Sequence, residues 1–154
     1  MTTVKQLFGA SFDVAGVPKA QPRPRAFARK MGDTFVARVY EDGSAEGWKG
    51  LVLLAARPHR PESPLEGPVR VDITLWLPRP KRLMRRCDPD GVVWCTAKPD
   101  RDNADKAILD TLTQDGWWRD DAQVCAGEIQ KFYHPKNERP GAFIVVCELP
   151  QEVS

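Results

Sequence analysis

The chain has 154 residues and a mass of 17.3 kDa, the size of one domain, which buries roughly two-thirds of its unfolded surface and so carries its own core. Hydrophobic residues make up 42%, which excludes a disordered tail, and 23 Lys+Arg against 21 Asp+Glu leave a net charge of +2, so any nucleic-acid role must come from uneven placement of charge. The longest apolar runs, Leu51–Ala56 and Ala142–Cys147, fall far short of the ~18 residues a membrane span needs.

The first residues lack the basic-then-apolar pattern of a signal peptide, so the expectation is a cytoplasmic protein with no membrane partner. Cys87, Cys95, Cys125 and Cys147 form no C-x-x-C, and His59 and His134 stand apart from them. That spacing argues against zinc and for reduced thiols.

Of fourteen prolines, eleven cluster at 18–24, 58–68 and 78–99 and mark loops. Phe8, Ala10, Phe12 and Val14 alternate with polar or small residues and predict a half-buried first strand. Ala26–Lys30 and Thr34–Tyr40 flank Met31-Gly32-Asp33, a hairpin pattern. From Ser44 to about Arg57, Trp48, Leu51, Val52 and Ala55 recur at helical spacing, weakened by Gly47 and Gly50. Val69 to Leu77 alternates throughout and is the clearest strand. A long loop, 78 to about 101, leads to a helix with Asp102 as its N-cap and Asp105 three residues on. Ala104, Ile108 and Leu112 share one face of that helix, with Leu109 beside them, and Asp115-Gly116 ends it. Gln123–Phe132 and Ala142–Leu149 read as two further strands, the last apolar enough for burial on both faces. The expectation is a single α/β (α+β) domain over 1–154, a small mixed sheet packed with two main helices.

The chemistry concentrates in Lys98-Pro-Asp-Arg-Asp-Asn-Ala-Asp-Lys106. In extended chain Asp100 and Asp102 point to the same side; on the helix Asp102, Lys106 and Asp110 share a face at four-residue steps. A second acidic pair, Asp120 and Asp121, follows Trp117-Trp118-Arg119, and an antiparallel return after the helix can bring it back beside the first. Clustered carboxylates repel unless a cation sits among them, and hard oxygen ligands favour Mg²⁺ or Mn²⁺. Such an ion suits phosphodiester hydrolysis. The same aspartates also suit a helix cap and solvated turns, and spacing alone does not decide.

An EF-hand loop from Asp100 would need Gly at 105 and Glu at 111, where the chain has Asp105 and Thr111. A glycosidase needs two carboxylates and no metal, and leaves Lys106 and the basic segments without a role.

Those segments are Lys19, Arg23, Arg25, Arg29 and Lys30, and then Arg79, Lys81, Arg82, Arg85 and Arg86, neither run holding an acid. Residues 98–131 hold eight acids against five bases. An acidic centre between basic loops is what a metal-dependent nuclease requires: cations hold phosphates and carboxylates hold the ion. Trp117 and Trp118 are assigned to core packing ahead of base stacking.

Lys98–Lys106, Ile108-Leu-Asp-Thr-Leu112, Gly116-Trp-Trp-Arg-Asp-Asp-Ala-Gln-Val124 and a downstream Lys131 together resemble the RusA family of Holliday-junction resolvases. The Pro18-Lys19 and Arg23-Pro-Arg25 segment resembles that family's N-terminal basic loop. The resemblance implies a homodimer of small mixed α/β subunits, dependent on Mg²⁺ or Mn²⁺, that resolves four-way DNA junctions by paired symmetric nicks in recombination and repair, in a bacterial cytoplasm or that of a phage's host. It places metal ligands on Asp100, Asp102 and Asp121, with Asp120 a neighbouring fourth, and the catalytic lysine on Lys106. Asn103 supports the helix start and ligand geometry. Lys19, Arg23, Arg25, Arg29, Lys30, Arg101 and Lys131 are expected to contact DNA, along with the 79–86 run. Lys131 lies ten residues beyond Asp121, roughly 33 Å if fully extended, so a phosphate contact is the expectation unless the strand bends. Residues 78–98 form a longer segment than in the family's shorter members, a place where junction preference can differ. The alternatives are a non-catalytic branched-DNA-binding protein of the same fold and a less specific flap or fork nuclease.

Overall fold

The computed structural model describes residues 5–21, 25–31, 34–40 and 45–153, the stretches 25–31 and 34–40 by their backbone alone. The main sheet has six strands: β1 (Gly9–Ala15), β4 (Val69–Leu77), β5 (Val93–Trp94), β6 (Val124–Ala126), β7 (Ile129–Tyr133) and β8 (Gly141–Glu148). Its order is β1-β8-β4-β7-β5, with β6 pairing β4 just before β7 does. β8 runs antiparallel to both β1 and β4, whereas β6 and β7 run parallel to β4. A parallel neighbour requires a crossover, and residues 78–123, which contain helix α2 (Arg101–Gln114), supply it. The fold is therefore α+β with a mixed sheet and two helices, as expected.

β4 is a central strand because its alternation is strict. Val69, Val71, Ile73, Leu75 and Leu77 are buried, and the intervening residues half-buried. Phe12 and Val14 of β1 and Ala142, Ile144 and Val146 of β8 extend the same apolar face. Helix α1 (Glu46–Ala56) lays Trp48, Val52 and Ala56 on it, at i, i+4 and i+8. Leu51, expected inward, is 42% exposed; the four-residue step places the true stripe one position round. α2 adds Ala104, Ala107, Ile108, Thr111 and Leu112, and both tryptophans, Trp117 and Trp118, are buried in this core. Burying each of the larger aliphatic side chains, Val52, Ile108 and Leu112, contributes about 1.5–3 kcal/mol, so both helices are held on one face of the sheet by packing. At the far end Asp115 ties them together, its almost buried carboxylate 3.3 Å from Arg60 and 3.6 Å from Arg57.

Several expectations shift. The hairpin forms, β2 (Arg25–Met31) against β3 (Thr34–Tyr40), but its turn at Gly32 and Asp33 lies outside the described residues. β8 is fully buried on one face only. The expected strand over 123–132 is broken in two at Gly127. There φ is +148°, and a Cβ would lie 1.8 Å from the Val71 carbonyl oxygen. The break is locked by β4: Ile73 N donates to Glu128 O at 2.8 Å, and Glu128 N donates to the Asp72 carboxylate at 2.9 Å.

The 78–98 segment is no open basic loop. Arg79, only 8% exposed, donates to the carbonyls of Leu83, Pro89, Gly91 and His134. Lys136 donates to those of Arg85 and Asp88, each at 2.7 Å. These cations satisfy backbone acceptors that a loop this long leaves without ladder partners. Within the segment β5 pairs with β7, a strand too short to leave a periodic signal.

Candidate active site

α2 begins two residues earlier than expected, its cap at Asp100 and not at Asp102. Asp100 is the extended cap residue, its carbonyl accepts Ala104 N at 3.0 Å, and its side chain makes no capping bond. Asp102 is therefore in the first helical turn, which removes the extended-chain argument for pairing it with Asp100. The Asp100 carboxylate instead meets Lys98, whose ammonium lies 2.7 Å from each oxygen. The pair is solvent-exposed, so it contributes little to stability and marks a carboxylate already matched to a cation.

Helical geometry puts Asp102, Lys106 and Asp110 on the outward side of α2, opposite the buried Ala104, Ile108 and Leu112. Asp102 to Asp110 spans about 12 Å along the axis. After Gly116, whose positive φ of +83° closes the helix, the chain returns antiparallel to α2. Residues 124–129 face Asp105 and Leu109 across a groove of about 240 Å³. Asp105 is therefore a wall of this groove rather than part of a cap. Burial raises its carboxyl above the usual range, against the opposing pull of Arg101.

The acids acting on Asp121 are Asp120 and Asp110, two helical turns beyond Asp102. Contact with the Asp120 carboxyl lifts Asp121 above the ordinary carboxylate range, with like charge from Asp120 and Asp110 adding to the shift. Asp120 moves the other way, because its side chain accepts the Ala122 N–H at 2.9 Å and caps the turn at Asp121–Gln123. Among the described residues no three His, Cys, Asp or Glu side chains gather to hold an ion. Asp100, Asp102 and Asp121 thus form no ready-made three-carboxylate group among the described residues, and the helix acid seen to act on Asp121 is Asp110.

Gln123 is the residue the sequence reading passed over. Its carbonyl oxygen accepts Arg119 N and Asp120 N at 2.9 and 3.0 Å, while its amide donates to Leu65 O and Gly67 O at 2.8 and 3.0 Å. It is the peg on which the Asp120–Asp121 turn hangs. Its place in the Trp-x-Asp-Asp-x-Gln-Val pattern was the signal that could have found it.

The expected DNA-contacting residues divide. Lys19 is exposed, and two residues on Gln21 N donates to the Asn103 carbonyl at 2.9 Å, which ties the N-terminal basic segment to the first turn of α2. This backbone bond is the support that Asn103 is seen to give. Arg101 is exposed at the same end. Arg25, Arg29 and Lys30 lie on β2, and Arg23 lies outside the described residues. Arg79 is spent inside the protein and Arg85 pairs with Asp88, which leaves Lys81, Arg82 and Arg86 exposed without a side-chain ion pair shown to a described residue. Lys131 points its ammonium at Ala97 O and Pro99 O, 2.7 and 2.6 Å away. The broken strand brings it to the segment just before Asp100.

A mixed sheet carries on one face a helix whose outer side alternates carboxylates with a lysine, and the basic N-terminal segment is tied to that helix start. The comparisons give the chain a family. The model described as Endodeoxyribonuclease RusA matches residues 15–146, so the chain belongs to the RusA endodeoxyribonuclease family, hydrolases that cut DNA phosphodiesters. It is also 32% identical over 143 residues to Uncharacterized protein YqaN of Bacillus subtilis (strain 168), covering 90% of this chain and 95% of that protein. Among the described residues no helix is long and apolar enough to cross a membrane.

Proposed function

We propose that this protein is a Mg²⁺-dependent, structure-selective endonuclease that resolves four-way DNA junctions by paired symmetric nicks, acting as a homodimer in the cytoplasm. The observation that carries the reading is the outer face of α2, where Asp100 and Asp102 stand at one end, Lys106 one turn on, and Asp110 with Asp121 beyond.

The donor chemistry fits a hard divalent ion. Mg²⁺ is commonly held by one or two carboxylates, with water and substrate phosphate filling its other positions, so it does not need a preformed three-carboxylate cage. Asp100 already has an ammonium against both its oxygens, and Asp121 carries like-charge strain that a cation relieves. Asp100 and Asp102 would hold the ion, with Asp121 the further ligand and Asp120 beside it; Mn²⁺ has the same oxygen chemistry. When bound, the ion would polarise the scissile phosphate and lower the pKa of the attacking water. Lys106 supplies positive charge where negative charge builds up on the phosphoryl oxygens. Lys19, Arg101 and the exposed cations at 81, 82 and 86 hold the backbone, which reads shape more than sequence. Two-fold symmetry of a homodimer would match the two cuts the junction requires.

The test is a synthetic four-way junction incubated with Mg²⁺ and with EDTA. Paired nicks are expected only with the ion, and D100N and D121N should fall at least ~100-fold while still binding the junction. Mg²⁺-dependent nicking retained by either variant contradicts its ligand role. The second reading is a non-catalytic branched-DNA binder of the same fold. Binding without cleavage in both conditions would establish it, and cleavage of flaps or forks in preference to junctions would mark a less specific nuclease.

A further inference from the structure

Lys131 sits in the middle of β7, in register with the buried Leu75 of β4, and is itself half-buried. One residue there holds three points of the neighbouring chain. Its backbone carbonyl accepts Cys95 N at 3.1 Å, and its ammonium donates to Ala97 O at 2.7 Å and to Pro99 O at 2.6 Å. These are alternate residues, 95, 97 and 99, of the bent segment that leads from β5 into α2. Pro99 has no N–H, so its end of the segment is gripped through its carbonyl. The Pro99 carbonyl belongs to the peptide whose nitrogen is that of Asp100. Whatever orients that peptide plane also sets the direction in which Asp100 leaves the loop.

We infer that Lys131 is a positioning residue for the nuclease site: its ammonium clamps the Ala97 and Pro99 carbonyls and so aims the Asp100 carboxylate, and it does not serve as a phosphate contact. The inference rests on the reading of Asp100 as a metal ligand proposed above. An ammonium has three donors, and two are committed to carbonyls at short distance. A phosphate could take Lys131 fully only by releasing the segment that carries Asp100.

The two roles separate in K131M, which keeps the apolar stem and removes the charge. Positioning predicts faster amide exchange at 95–101 by at least ~tenfold, with β4 and β8 unchanged. It also predicts a kcat on the four-way junction reduced at least ~tenfold, an unchanged junction affinity in EDTA, and an unchanged slope of that affinity against salt. K131R keeps donors at the same place and should recover the exchange protection and most of kcat, which guards against a general folding defect. The inference is overturned if K131M weakens junction binding and flattens the salt slope by about one while exchange and kcat at saturating DNA stay at the wild-type level. Wild-type protein that never nicks, with the exchange change in K131M intact, would overturn the nuclease reading instead and reduce Lys131 to a structural clamp.

Discussion

The two acidic ends of α2 are held by different chemistry. At the N-terminal end a charged side chain, Lys131, grips backbone carbonyls, and the acid it serves, Asp100, is matched by a second ammonium from Lys98. At the other end a neutral amide, Gln123, makes four hydrogen bonds, and the acids there face one another with no cation on them in any ion pair shown among the described residues. At the first end an ammonium already lies against both oxygens of Asp100. The second carries repulsion that an incoming cation would relieve. The contrast gives each end a distinct signature: order at 95–101 depends on a charge, and ionisation at 120–121 depends on what binds.

Gly127 lies between the ends, and changing it should have the largest effect. In G127A the new methyl would collide with the Val71 carbonyl, a backbone atom that cannot swing aside, in a conformation side chains rarely adopt. The expected cost is at least ~3 kcal/mol in urea unfolding, with order lost at both ends together. If one end kept its exchange protection, the bend would not be what places both.

Q123A tests the second end alone. Leaving Leu65 O, Gly67 O and two N–H groups without their partner should cost about 1–3 kcal/mol. Exchange should rise at 119–123 and not at 95–101, and nicking should fall about tenfold or more. Full nicking by a Q123A protein that has lost order at 119–123 would remove Asp121 from the chemistry.

The smallest effect is in the pH dependence. Asp121 has a raised folded-state value, so its contribution to stability is full below the ordinary carboxylate range and is lost as pH rises through the raised value. Asp120 is lowered, so its contribution is present above that range and is lost as pH falls through the lowered value. D121N should therefore melt slightly above wild type at neutral pH without divalent ions, and the gap should close in acid. Mg²⁺ should raise the wild-type melting temperature and leave D121N nearly unmoved. A melting difference that ignores both pH and Mg²⁺ would deny the repulsion at this end.

The strands and the core of α2 were legible in sequence wherever burial imposes a period. The alternation of Val69–Leu77 and the Ala104, Ile108, Leu112 step follow from side-chain direction in strand and helix, which is local geometry. Asp100, Asp102, Lys106 and the Asp120–Asp121 pair were marked by residue type and motif, again without a fold. Local pattern did not reveal what each cation does. Arg79 reads as one more basic residue in a basic run, yet it is buried among four carbonyls, and Lys131 reads as a surface charge beyond reach of the acids, yet it clamps the chain beside Asp100. Their partners are backbone acceptors, which every residue has and no sequence pattern distinguishes, brought close only by the break at Gly127 and the folding-back of residues 78–98. The identity of the acids was therefore determined along the chain. The choice of lysine and glutamine to hold the segments that carry them was decided by tertiary structure, because distance across a fold is set by crossover and helix rise rather than by spacing in sequence.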